Sequence, residues 1–156
     1  LTHACNFGFL LFPILHQCKF VVQLLVVNDE GNYELIGHEL RLGQVVNNLI
    51  DNAISFSDEN DGVRITLRRT YDTILVSIDD DGPGMAPDAL ERIFERFYTD
   101  RPGADAFGKN SGLGLSIAKQ IIEAHGGSII AANRCDNNGA VVGARFEVQL
   151  PALAAS

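Results

Sequence analysis

The sequence predicts a single globular domain in which helices and strands alternate along the chain. Its 156 residues, 46% of them hydrophobic and 21% charged, suffice for one buried core and leave little room for a second. Apolar residues recur at helical spacing in residues 39–57 and 113–125, and they alternate with polar residues in several shorter runs. These two periodicities together predict a domain built from both helices and strands.

The first half of the chain predicts two strands, a long helix and a hairpin. Residues 19–27 are apolar and β-branched enough for a strand, and residues 33–36 predict a second strand that pairs back onto it after a turn. Residues 39–57 predict an amphipathic helix. Residues 63–70 and 73–79 alternate in polarity and predict two strands joined by a short turn. The apolar stripe of the helix comprises Leu42, Val45, Val46, Leu49, Ile50, Ala53 and Ile54.

The second half predicts two helices, a long loop and two strands. Residues 87–97 indicate a short helix, and residues 98–111 have no periodicity and indicate a loop of a length that is usually functional in compact domains. Residues 113–125 predict a strongly amphipathic helix that a pair of glycines ends. Two further strands are predicted at 128–133 and 144–150, on either side of a turn.

Charge and cysteine content exclude several classes of function. Twelve Lys and Arg against twenty Asp and Glu give a net charge of −8 and a pI near 4.8, which disfavours binding to nucleic acids. The three cysteines, Cys5, Cys18 and Cys135, have no metal-binding spacing and are odd in number. We therefore expect reduced thiols rather than a disulfide framework or a zinc site.

The N-terminal segment, residues 1–28, is apolar and has Lys19 as its only formal charge. Polar residues interrupt it, and neither apolar run approaches the roughly 20 residues of a membrane-spanning helix. It also lacks the basic region and cleavage site of a signal peptide. Because the sequence does not begin with Met, we expect a fragment of a longer protein.

Asn48 and Asn52 are the first candidate site residues. Their spacing of four places both carboxamides on one face of the predicted helix, beside its apolar stripe. The simplest interpretation is a pair of surface asparagines. The alternative is a pair of neutral oxygen ligands for Mg²⁺, which prefers few protein oxygens together with substrate phosphates.

A run of three aspartates ends the strand predicted at 73–79. Counting by twos places Asp80 in the inward apolar row and turns Asp79 and Asp81 the other way. An inward carboxylate at a strand end can accept a hydrogen bond from a ligand amine, and Gly82 and Gly84 allow the backbone close to that ligand. An acidic turn is the plain alternative, and a calcium loop lacks the required ligand spacing.

Two further motifs follow. Residues 108–115 contain several glycines and lead directly into a predicted helix, an arrangement that directs backbone N–H groups and the helix dipole at an anion. The segment is neither a Walker A loop nor a Rossmann fingerprint. Residues 93–98 place Phe94 and Phe97 three apart just before the long loop, which indicates core packing or a hinge for a lid.

The four motifs, in this order, resemble the ATP-binding catalytic domain of two-component sensor histidine kinases, in the GHKL or Bergerat superfamily. Residues 48–53 resemble its N box, 80–84 its G1 box, 93–98 its F box and 112–115 its G2 box. The match covers roughly residues 33–151. Parts of it further resemble the alphaproteobacterial envelope- and acid-sensing kinases of the ChvG type.

The resemblance implies a two-layer α/β (α+β) sandwich, in which a mixed sheet has helices on one face, for residues 19–156. Residues 1–18 stay unassigned, and a lid spans about 98–111. It also implies that the domain binds ATP and Mg²⁺ and transfers the γ-phosphoryl group to a histidine on a dimerisation domain of the same kinase, absent from this sequence. A response regulator acts downstream, and the parent protein is expected to be a homodimer in the bacterial inner membrane, with this domain in the cytoplasm.

Individual roles follow from the same resemblance. Asp80 is expected to bind the adenine amine, and Asn52 and Asn48 to hold Mg²⁺ and phosphates. No catalytic residue is assigned within this chain. The remaining nucleotide-binding residues are expected to be Gly82, Gly84, Arg101, Lys109, Gly112, Leu113, Gly114 and Leu115, where Arg101 and Lys109 are the cations of the lid.

The sequence departs from the family pattern in three places. Ser55 and Phe56 stand where many N boxes have Lys and Tyr, and Asn110 stands where a glycine is common. His38 begins a tetrapeptide similar to a phosphoacceptor box, but the expected Thr-Pro is missing and the tetrapeptide opens the predicted N-box helix. We therefore interpret His38 as structural.

Two other functions remain as alternatives. Hydrolysing ATPases of the gyrase or mismatch-repair type and anti-sigma serine kinases resemble this fold, but they carry a Glu where Asn48 stands, because water or serine needs a carboxylate base. A non-catalytic binding module would need no intact nucleotide motifs, whereas Asp80, Asn52 and the glycines at 112 and 114 are intact.

Overall fold

The computed structural model describes residues 2–11, 22–27, 32–57, 62–98 and 112–153. Seven strands and three helices are defined there, and residues 7–11 are also helical. In chain order they are β1 (His3–Asn6), β2 (Val22–Val27), β3 (Glu34–Gly37), α1 (Glu39–Phe56), β4 (Val63–Arg69), β5 (Thr73–Asp79), α2 (Pro87–Arg92), α3 (Gly114–Ala124), β6 (Ser128–Cys135) and β7 (Val141–Pro151).

The main sheet has five strands in the order β2-β4-β5-β7-β6. The β2 and β4 strands are parallel and every other neighbouring pair is antiparallel, so the sheet is mixed. Helices α1 and α3 pack against each other and contact strands of this sheet. The predicted two-layer α/β sandwich is thereby confirmed.

One core lies between the helices and the sheet. The apolar stripe of α1 is buried from Leu42 to Ala53, as its spacing predicts. The inward row of β5, formed by Ile74, Val76 and Ile78, is at most 1% exposed. Since α3 buries Ile122 on the same side, the two amphipathic helices share this core.

The N-terminal residues, which the sequence left unassigned, also pack on the core. Strand β1 pairs antiparallel with β3, and Cys5 lies opposite Leu35, with both side chains buried. Phe7 follows at 1% exposure and Leu11 at 0%. The predicted pairing of residues 33–36 with 19–27 is therefore wrong, because β1 occupies the edge of β3 and β2 pairs with β4 instead.

The helix predicted at 87–97 ends earlier, at Arg92, and a series of turns follows. Phe97 has a φ of 64°, in the left-handed region, and its N–H donates to the carbonyl of Gly112 at 3.0 Å. That distant partner and the left-handed backbone are incompatible with a helix that continues through Phe97.

Two expectations concern the chain as a whole. In the described ranges, no helix is long and apolar enough to cross a membrane. Cys5 and Cys135 are free thiols, and Cys18 lies outside the described residues.

Candidate functional site

One face of α1 links the predicted motifs. Asn48, Asn52 and Phe56 are four residues apart and lie in line along this face. Asn48 contacts the start of α3, and a β-carbon on Gly82 would lie 2.5 Å from the carbonyl oxygen of Phe56. The face therefore runs from the start of α3 to the loop after β5, over about 12 Å of helix.

At the α3 end, the Asn48 side chain is held by the backbone. Its Nδ2 donates to the carbonyl oxygen of Gly114 at 3.0 Å, which leaves Oδ1 as an acceptor. The α3 helix begins there, and among the described residues no side chain caps its N-terminus. The backbone N–H groups of its first turn therefore lack intrahelical acceptors, and they can bind an anion.

Asn52 lies one turn further along α1 and is half-buried. Its backbone carbonyl accepts a hydrogen bond from the Ser55 hydroxyl at 2.8 Å. Its carboxamide makes no hydrogen bond to any residue within the described ranges. No described residue therefore occupies its oxygen.

At the other end of the face, Asp80 is only 2% exposed, which agrees with the inward direction predicted from the alternation in β5. Its Oδ1 accepts hydrogen bonds from the backbone N–H groups of Gly82 and Ala144, both at 3.0 Å. From the part of the chain that the structure describes, no donor reaches Oδ2. Burial raises the pKa of the Asp80 carboxyl, and the two amide hydrogen bonds offset this effect only in part.

Asp79 is on the opposite face of the sheet and is buried too, which the sequence did not predict. Its carboxylate receives two hydrogen bonds from Arg145, each of 2.7 Å. Arg134 and Arg64 lie 3.6 and 4.0 Å away. Arginines on β4, β7 and β6 therefore neutralise Asp79 on the face away from the core.

The two glycines of the loop after β5 allow close packing. A β-carbon at Gly82 would meet α1, as described above. Gly84 has a φ of 76°, and a β-carbon there would overlap the side chain of Val141. The glycines predicted from the motif therefore stand where neighbouring elements leave no room for a side chain.

The ends of the predicted lid lie next to each other. Besides the hydrogen bond between Phe97 and Gly112, a β-carbon at Gly112 would lie 2.7 Å from the carbonyl oxygen of Tyr98. Gly112 has a φ of 68°. Residues 99–111, including the predicted contacts Arg101 and Lys109 and the atypical Asn110, lie outside the described residues.

The remaining motif residues lie in different parts of the fold. Leu113 is half-buried just before α3, and Leu115 packs into the core. Phe94 packs on the core and meets Phe146 edge-to-face at 6.2 Å, whereas Phe97 is 72% exposed. Core packing thus accounts for the first aromatic of this motif and not for the second.

His38 immediately precedes α1. Its backbone N–H donates to Nε2 of His125 at 3.0 Å, and Nδ1 of His125 lies 2.7 Å from the carbonyl oxygen of Ile121. This pair of contacts joins the N-terminal end of α1 to the C-terminal end of α3.

Two residues of β6 were not identified from the sequence. Asn133 forms two hydrogen bonds with the backbone of Met85, and Arg134 contacts Asp80 and Asp81. Because these two residues lie about 50 positions from the loop along the sequence, no local sequence pattern predicts the contacts. The only signal is the presence of two large polar side chains at the end of a strand.

Comparison with known proteins decides the family. Residues 37–154 match the family described as histidine kinase-, DNA gyrase B- and HSP90-like ATPases. The chain belongs to this ATPase family. The resemblance to the ATP-binding domain of this family is thereby confirmed at the level of the whole domain.

Similarity to individual proteins narrows the comparison to sensor kinases. Sensor protein ChvG of Agrobacterium fabrum is 57% identical over 118 residues, which cover 74% of this chain and 20% of that protein. The chain thus spans about a fifth of the length of this curated relative.

Two solved structures are similar to nearly the whole ATPase domain. The mycobacterial sensor histidine kinase MprB superposes with a TM-score of 0.80 at 25% identity, covering 99% of this chain and 100% of that one. Histidine kinase ThkA, solved in complex with response regulator protein TrrA, has a TM-score of 0.76 at 26% identity and covers 97% of this chain and 42% of that one.

Proposed function

We propose that this ATPase domain binds ATP with Mg²⁺ and donates the γ-phosphoryl group to a histidine on a dimerisation domain of the same kinase. Within the chain, the residues bind and orient the nucleotide, and the accepting histidine comes from elsewhere.

The observation that carries it is the Asp80 carboxylate. Two backbone amides fix Oδ1, and no donor from the described residues satisfies Oδ2. A carboxylate oxygen that these residues leave without a donor can accept a hydrogen bond from a ligand amine. The exocyclic amine of adenine is such a donor, which supports Asp80 as the residue that selects the base.

The other end of the α1 face suits a triphosphate. The uncapped N-terminus of α3, preceded by Gly112, offers backbone N–H groups to phosphate oxygens. Asn52 and Asn48 supply neutral oxygens, which bind Mg²⁺ without repelling the phosphates. When bound, Mg²⁺ would neutralise phosphate charge, and the donor set on α1 fits that role. Arg101 and Lys109 remain proposed phosphate contacts from the lid.

Transfer to a histidine agrees better with this site than hydrolysis. Phosphoryl transfer requires mainly positioning and charge neutralisation, which amides and backbone N–H groups provide. Activation of water or of a serine hydroxyl calls for a base, and the amide of Asn48 cannot accept that proton. The Asn48 amide nitrogen also joins α1 to α3 through its hydrogen bond to Gly114.

The partners follow from the relatives. Because the chain covers only a fifth of ChvG, the dimerisation domain and the sensing part are expected in the rest of the protein. The ThkA complex with a response regulator supports such a regulator as the downstream partner. We extend the proposal to a homodimeric parent protein in the bacterial inner membrane, with this domain on the cytoplasmic side.

Calorimetric titration with ATP, with and without Mg²⁺, tests the nucleotide site. We expect saturable one-to-one binding that Asp80→Asn abolishes and that Asn52→Ala weakens only when Mg²⁺ is present. Asn47→Ala is the matched control, because Asn47 is an exposed asparagine of the same helix. Absence of binding by the wild-type chain at millimolar ATP would refute the proposal.

A second experiment tests the transfer step. The chain is mixed with [γ-³²P]ATP and the separately produced dimerisation domain of its parent kinase. We expect label on that domain in an acid-labile form, as a phosphohistidine requires, and no label when the acceptor histidine is replaced. Steady release of phosphate without any labelled protein would instead favour a hydrolysing ATPase.

A further inference from the structure

Asn133 and Arg134, at the end of β6, contact the loop after β5 from two sides. Side chains of consecutive strand residues point to opposite faces of a sheet. Asn133 reaches Met85 at the end of the loop, and Arg134 reaches Asp80 at its beginning. The loop that carries the proposed adenine contact is therefore held at both ends by one dipeptide.

The guanidinium of Arg134 contacts three consecutive aspartates. Its Nη1 donates to the carbonyl oxygen of Asp80 at 2.5 Å and to Oδ1 of Asp81 at 2.6 Å. Its Nε lies 3.6 Å from Oδ2 of Asp79. The side chain is only 20% exposed, so these charge-assisted contacts are poorly screened by water. One side chain thereby fixes the direction in which the chain leaves β5.

The Asn133 carboxamide fixes the other end. Its Oδ1 accepts from the N–H of Met85 and its Nδ2 donates to the carbonyl oxygen of Met85, both at 2.7 Å. The side chain thus pairs with both backbone groups of one residue, as a neighbouring strand would. Between these two ends lie Gly82 and Gly84, which have no side chains to restrict the backbone.

Strand β7 lies between β5 and β6, so Arg134 must reach across it. The crossing occurs at Gly143, which is the register partner of Arg134. A β-carbon at Gly143 would overlap the carbonyl oxygen of Asp80 and lie 3.1 Å from Nη1 of Arg134. A glycine at this position is therefore required for the hydrogen bond between Arg134 and Asp80.

We infer that Asn133 and Arg134 are positioning residues that set the base specificity of the nucleotide site by clamping the loop from Asp80 to Met85. The inference rests on the proposed function, because it assumes that Asp80 binds the adenine amine. The clamp keeps Oδ1 of Asp80 on its two backbone donors and so directs Oδ2 to one place. Without the clamp, the carboxylate would be presented in several orientations and would select the base less well.

The test compares Arg134→Met with Arg64→Met. Both substitutions remove an arginine from the same face of the sheet, but Arg64 only approaches Asp79 and does not touch the loop. Binding of ATP and of inosine triphosphate, which has a carbonyl in place of the amine, is measured by calorimetry. We expect Arg134→Met to reduce the preference for ATP by about tenfold, the loss of roughly one hydrogen bond, and Arg64→Met to leave it unchanged.

Amide hydrogen exchange gives a readout that needs no nucleotide. We expect faster exchange at Gly82 and Ala144, the donors to Asp80, in Arg134→Met, with amides in the middle of α1 unchanged. Asn133→Leu is the second variant, since it leaves the arginine in place, and it should accelerate exchange at Met85. A general destabilisation would raise exchange throughout the domain and would not change the preference between the two nucleotides.

The outcomes separate the two proposals. If the wild-type chain fails to bind ATP, the proposed function falls, and the assigned role in base specificity falls with it. If the wild-type chain prefers ATP and both variants keep that preference and the local exchange rates, only the clamp is refuted. A reduced preference together with faster local exchange would support the inference.

Discussion

Replacing Phe7 by alanine should lower the free energy of unfolding by about 3–5 kcal/mol, the usual cost of truncating a buried phenylalanine. Phe7 is 1% exposed and follows β1, and its backbone N–H donates to the carbonyl oxygen of Tyr33 at 2.9 Å. The alanine keeps this backbone bond and removes only the ring from the core. For a domain of this size, the change corresponds to a fall in melting temperature of roughly 10 °C.

Phe9 provides the matched control, because it lies two residues away and is 79% exposed. Phe9→Ala should change the free energy of unfolding by less than about 0.5 kcal/mol. Urea unfolding followed by far-UV circular dichroism measures both variants. Equal effects of Phe7→Ala and Phe9→Ala would show that Phe7 does not belong to the core.

Three further predictions concern titratable side chains. Burial raises the pKa of Asp80, so its favourable contribution to folding is complete below the ordinary Asp pKa and is lost as pH rises through the raised value. Urea titrations from about pH 4 to about pH 7 should therefore show that the wild type loses stability relative to Asp80→Asn as the pH rises. Asp79→Asn should destabilise by about 1–3 kcal/mol in thermal unfolding, because Arg145 loses its charged partner, whereas Asp72→Asn in an exposed turn should be neutral. Iodoacetamide labelling followed by peptide mapping should modify exposed Cys135 in the native protein and spare Cys5, whose thiol pKa burial raises.

Local periodicity predicted the elements that depend on local sequence. Helix α1 was expected at 39–57 and lies at Glu39–Phe56, because its apolar residues recur at the spacing that buries one face. The alternation in β5 also predicted the inward direction of Asp80. Both features follow from the period of a single element, which a sequence shows directly.

The sequence patterns did not predict structural features that depend on pairing between distant segments of the chain. Strand β3 was expected to pair with the strand before it, but β1 lies on its edge, and the short polar β1 carries no alternation that would predict a strand. Asp79 was expected to point away from the core and does, yet it is buried, because antiparallel register places Arg145 directly opposite it. The contacts of Asn133 likewise depend on the order of strands in the sheet.

The three consecutive aspartates at the end of β5 show why only one of them suits a neutral ligand donor. Asp79 is compensated by Arg145, and Asp81 is exposed and paired with Arg134 at 2.6 Å. Asp80 lies between them on the core side, where Arg134 binds its carbonyl rather than its carboxylate. Among the described residues, its carboxylate accepts hydrogen bonds from backbone N–H groups and from no cation, and burial raises its pKa despite the nearby Arg134. A carboxylate that no cation satisfies gains more from a ligand amine than either of its neighbours, because the neighbours would first have to release an arginine.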